Sequence, residues 1–160
     1  MQNWKVLFVK PRTEKKMTDY CELYGIPFYL PLREKTRVVQ RRKVTTRIPV
    51  FPGYVFARFD QSQRLQMQQT NLLVRILEPE NPRRMLRDLA MVRRALRANP
   101  ALAAVKPLAK GRPVRIISGP FAGIEGRVAR MAGTLKVILN VDLIGQAVSV
   151  TAETDQVEVL

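Results

Sequence analysis

Residues 48–59 read I-P-V-F-P-G-Y-V-F-A-R-F, and this stretch constrains the fold most tightly. Pro49, Pro52 and Gly53 impose a tight bend. After it, the side chains alternate with the period of a strand. Tyr54, Phe56 and Arg58 fall on one face, and Val55, Ala57 and Phe59 on the other. The second row suits a core. The first is too apolar to meet only water, so something covers it. A helix of the same domain is one candidate, because strands normally pack inside their own domain. A partner protein is the other, because clustered exposed aromatics mark binding surfaces.

The residues the chain lacks exclude much chemistry. There is no histidine, and Cys21 is the only cysteine. A His/Cys metal site, a Ser-His-Asp triad and a Cys-His centre are therefore ruled out. The acidic residues show no D-x-D or E-x-x-E pairing, and no G-x-x-x-x-G-K phosphate loop occurs. The expectation is a protein that is not an enzyme and has no cofactor. No apolar run is long enough to span a membrane. The first residues lack signal-peptide architecture, and a lone cysteine fits a reducing compartment, so a cytoplasmic location is expected.

Charge divides the chain. Residues 1–98 carry 21 Lys/Arg against 8 Asp/Glu, whereas residues 108–160 carry 6 against 5. A basic first module joined to a nearly neutral second implies different partners, with a polyanion natural for the first.

The chain in order supports two modules. A strand over 3–9 puts Trp4, Val6 and Phe8 on one face. Thr13 is placed to cap a helix running to Tyr24, with Met17, Tyr20, Cys21 and Tyr24 at helical spacing and Gly25 as the stop. Cys21 then reads as a small core residue. A strand over 26–32 leads into residues 33–47, where Arg33, Lys35, Arg37, Arg41, Arg42, Lys43 and Arg47 surround Val38, Val39 and Val44. That mixture suggests a projecting basic hairpin. Such an arm can merely protect a sheet edge, but this charge density exceeds that need and suits phosphate contact. Residues 61–71 fit a short helix or loop, and residues 72–77 a strand. Residues 83–98 form an amphipathic helix with Met85, Leu89, Val92 and Leu96 as its stripe. Residues 99–107, with two prolines, read as a linker. Residues 108–160 hold five short strands separated by glycines, suggesting a small barrel.

In the second module Gly111, Val114, Ile116, Gly119, Pro120, Phe121, Gly123, Gly126 and Val128 stand as they do in the KOW motif. In the first, W-K-V-L-F-V-K-P-R-x-E-K-K and P-V-F-P-G-Y-V-F-A-R-F resemble the N-terminal domain of NusG-type transcription elongation factors. The chain looks more like the specialised RfaH and UpxY paralogs than housekeeping NusG. The resemblance implies an α+β protein: residues 1–98 an antiparallel sheet flanked by helices, residues 99–107 a linker, residues 108–160 a five-stranded SH3-like KOW barrel. It implies a monomeric antitermination regulator that sits on the β′ clamp helices of RNA polymerase, bridges to the β subunit and keeps the clamp closed. Phe8, Tyr54 and Phe56 match the family's polymerase-binding pocket, with Ile76 and Val92 as further matches. Lys10, Arg12, Arg37, Arg41, Arg42 and Lys43 would then meet the non-template DNA strand or nascent RNA. The ribosomal protein NusE is the partner the family suggests for the KOW module. Ile144-Gly145-Gln146-Ala147-Val148-Ser149-Val150 stands where the family has F-G-R-x-x-P-V, and the missing arginine and proline weigh against binding of Rho. The alternative reading is a KOW-type RNA- or ribosome-binding protein, for which the Tyr54/Phe56 surface has no use.

Overall fold

The computed structural model describes residues 3–131 and 134–160. In chain order the elements are β1 (Trp4–Val9), α1 (Glu14–Leu23), β2 (Phe28–Tyr29), β3 (Leu32–Val39), β4 (Arg42–Pro49), β5 (Tyr54–Arg58), α2 (Gln61–Gln68) and β6 (Leu73–Leu77). Then follow α3 (Pro82–Ala98), β7 (Ala104–Val105), β8 (Pro113–Ile116), β9 (Glu125–Met131), β10 (Thr134–Val141), β11 (Gln146–Ala152) and β12 (Val157–Val159). No helix among the described residues is long and apolar enough to cross a membrane.

Two units emerge. The first comprises Met1–Pro31 and Phe51–Leu86, the second Leu32–Val50 and Arg87–Leu160. The first is built on an antiparallel sheet of order β2-β5-β1-β6. One face of that sheet presents Leu7, Val9, Val55 and Ala57. With Phe59 just beyond β5, these pack on Met17 and Cys21 of α1 and Met67 of α2 as one buried cluster. Thr13 precedes α1, but its hydroxyl donates to the Lys10 carbonyl (2.7 Å) instead of capping the helix. α2 begins with a full capping box. The Gln63 N–H donates to Asp60 Oδ1 (2.8 Å), and the Asp60 N–H donates to Gln63 Oε1 (2.9 Å). α3 opens on Asn81-Pro82, with Asn81 Oδ1 accepting from the Arg84 N–H (3.1 Å).

In the second unit, among the described residues, β3 and β4 pair only with each other, from Leu32↔Pro49 to Val39↔Arg42. The remaining strands form one sheet of order β12-β8-β9-β10-β11-β7. The expected five-stranded barrel appears as a β-rich ladder that does not close: among the described residues it has six strands, with β12 and β7 at its ends. The sixth comes from the expected linker, where Ala104–Val105 pairs with β11. Asn140 anchors its far side, with Nδ2 donating to the Leu108 carbonyl (2.8 Å) and Oδ1 accepting the Leu108 N–H (3.0 Å). The sheet buries Val114, Ile116, Val137, Leu139, Val148 and Val150. Gly126 is required by this packing, since a Cβ there would lie 2.7 Å from the Ile138 carbonyl and 2.8 Å from both Leu139 and Val137 side chains.

Contacts within this unit reach back to α3. Arg87 Nη2 donates to Glu125 Oε2 (2.7 Å), and Arg94 Nη2 donates to the Ala122 carbonyl (3.2 Å). Glu125 also receives two hydrogen bonds from Arg115, and these guanidinium donors hold its carboxyl below the usual carboxylate range.

Candidate functional site

On the sheet face turned away from α1 and α2, the strand register pairs Val6 with Phe56 and Phe8 with Tyr54. Phe56 and Val6 are fully buried, whereas Phe8 and Tyr54 are only half-buried. The face therefore divides along its length. Its Val6/Phe56 end is core. Its Phe8/Tyr54 end is open, with ring centroids 5.1 Å apart. Arg75, directly opposite Phe8 on β6, lies over the Phe8 ring at 5.8 Å. A row of guanidinium, phenyl and phenol thus crosses β6, β1 and β5. An apolar pair with a cation at its edge suits an apolar partner with a polar rim.

The bend before β5 aims this row. The Tyr54 N–H donates to the Phe51 carbonyl (3.2 Å), and Gly53 has φ +89°. With Pro52 ahead of it this is a type II turn, whose third position requires a positive φ. A Cβ on Gly53 would also lie 3.0 Å from Phe8 Cε1, so glycine is needed both for the turn and for the phenyl ring. The Gly53 carbonyl accepts from the Val9 N–H (2.8 Å), and the Gly53 N–H donates to Glu14 Oε2 (3.0 Å). Glu14 is one of the two buried polar or charged side chains among the described residues. Its carboxylate satisfies an N–H that would otherwise be stranded. Glu14 therefore joins the K-P-R-x-E and F-P-G-Y motifs physically. The sequence reading missed this role; the single carboxylate in the K-P-R-x-E stretch, four residues after Lys10, was the available signal.

Ile76 is not part of the row. It pairs with Leu7 and packs against the α1 side of the sheet. Val92 is fully buried on α3, within the second unit. Lys10 continues β1 beyond Phe8, and its Nζ donates to Asn71 Oδ1 (2.9 Å). Arg12 is exposed in the loop before α1, at φ +61°.

Arg37, Arg41, Arg42 and Lys43 lie at the far end of the β3–β4 ribbon, all exposed. In the C-terminal sheet, Val114 and Ile116 point inward from β8. Gly119, Pro120, Phe121 and Gly123 form the turn into β9, closed by the Gly123 N–H donating to the Ile116 carbonyl (2.7 Å). Gly126 and Val128 lie on β9, and Gly111 sits just before β8. Cys21 offers no nucleophile, because burial pushes its thiol up to about 11.

Residues 2–93 match a family model described as "NusG: Transcription termination factor nusG". No curated protein matches the chain.

Proposed function

The chain belongs to the NusG family, and from that premise we propose that it is an elongation and antitermination regulator of the specialised RfaH/UpxY kind. In this reading it binds RNA polymerase, holds the clamp closed and suppresses pausing or termination without any bond-making chemistry. The Phe8–Tyr54 row carries the reading: a half-buried aromatic pair on two paired strands, held from behind by the Gly53 turn and its hydrogen bond to Glu14. Its occupant would be the tip of the β′ clamp helices, with the rest of residues 1–98 reaching towards the β subunit. A ligand that prefers the closed polymerase stabilises that state over paused ones by its differential affinity. Lys10, Arg12 and the ribbon cations would meet nucleic acid beside the cleft. The C-terminal sheet would act as a KOW module, with NusE as its partner. Gln146 and Ser149, in place of the family's arginine and proline, argue against Rho. The protein would work as a monomer in the cytoplasm, where the polymerase is.

Single-round transcription through a pause site and a terminator tests this. Added protein should shorten the pause and raise readthrough. Unchanged pausing and readthrough at saturating protein would reject the proposal.

A further inference from the structure

Among the described residues, the β3–β4 ribbon is a two-stranded sheet with no other strand beside it; at its base the Glu34 N–H donates to the Pro100 carbonyl (2.7 Å). Its register sorts the charges by face. Arg33, Lys35, Arg37 and Arg42 share one face with Val39, Val44, Thr46 and Ile48; Lys43 and Arg47 share the other with Glu34, Thr36, Val38 and Thr45. Arg41 stands in the turn. Both faces thus carry cations near the tip, and both are exposed there. Val38, Val39 and Val44 are also exposed, at 69%, 43% and 37%. The two turn residues, Gln40 and Arg41, have φ +50° and +63°. A two-residue turn of this hand is relaxed by Asn-Gly, so long-chain donors occupy strained positions at the tip, opposite the Leu32/Pro49 end of the ribbon.

We propose that this ribbon enters the major groove of B-form duplex DNA; the proposal rests on the reading that the ribbon meets nucleic acid. Three features select that ligand. Cations on both faces suit a ribbon with a phosphate strand on either side, which a groove supplies. The major groove is about 12 Å wide and admits a two-stranded ribbon, while A-form RNA has a groove too narrow to enter. Residues 32–49 contain no aromatic side chain, so the stacking platform on which single-strand binding depends is absent. The exposed valines beside Arg37, Arg42 and Lys43 supply apolar contact of the kind thymine methyl groups accept, and Gln40 and Arg41 supply donors and an acceptor for base edges.

The test uses the full chain and three probes: a mixed-sequence DNA duplex, one of its strands alone, and the RNA duplex of the same sequence. Fluorescence anisotropy across a salt series should show the DNA duplex bound at least tenfold more tightly than either other probe. The variant R37Q/R41Q/R42Q/K43Q should weaken duplex binding at least tenfold and flatten the log–log salt slope by about 2–3 units. Guanine N7 atoms in the bound duplex should be protected from dimethyl sulfate. The variant Q40N/R41G, whose turn is relaxed, should fold at least as well and still bind the duplex several-fold more weakly. If single-stranded DNA or the RNA duplex binds as tightly and the four-glutamine variant weakens it, the groove proposal is overturned while the nucleic-acid reading of the ribbon stands. If neither variant changes binding to any probe, both are overturned.

Discussion

At the scale of the residue, Tyr54 and Phe56 are two positions apart on one strand face and hold different posts. Phe56 is fully buried; Tyr54 is half-open beside Phe8. Truncating a buried phenylalanine removes its transfer energy and leaves a cavity, a cost of about 3–5 kcal/mol. Phe56→Ala should therefore lower unfolding stability by that amount in a urea titration, and Tyr54→Ala by clearly less. Equal losses would mean that Tyr54 is as much a core residue as Phe56. Period-two patterning placed both on one face correctly, but alternation says nothing about how far along a strand the cover extends. Ile76 shows a related limit. Its face is set by how β6 registers against β1, which pairs it with Leu7. A slip of one residue exchanges the faces of a strand, and no local pattern records it.

At the scale of the element, the helices and most strands were legible because their signals are local. Helical spacing from Met17 to Cys21, the valine-and-cation mixture of the ribbon and the glycine-punctuated strands after residue 110 each report a short-range preference. The Asp60…Gln63 capping box was equally local and resolves the helix-or-loop choice at 61–71 in favour of a helix. β7 was not legible. Two residues, Ala104 and Val105, carry no pattern; their strand is made by pairing with β11, next to the Asn140 clasp on Leu108. Within residues 99–107, then, protease should cut wild-type protein before Ala104, not after it. Asn140→Ala leaves the Leu108 N–H and carbonyl without their partner, and cleavage should spread to residues 104–108. An identical cleavage map in the variant would show that the clasp does not hold β7.

At the scale of the whole molecule, the net charge of +15 sits mainly in the part that matches the NusG family, and the apolar row of Phe8 and Tyr54 lies in that same part. The two surfaces call for different forces. Ribbon binding should weaken steeply with salt through counterion release, whereas an apolar aromatic contact should not. The central claim is that Phe8 and Tyr54 form the polymerase contact. It is tested most directly by the equilibrium affinity of the full chain for core RNA polymerase, measured for the wild type, Phe8→Ala and Tyr54→Ala after circular dichroism has verified each fold. A central interface aromatic is worth about 2 kcal/mol when truncated, so each variant should bind about 30-fold more weakly. A folded Tyr54→Ala protein that keeps wild-type affinity would contradict the account.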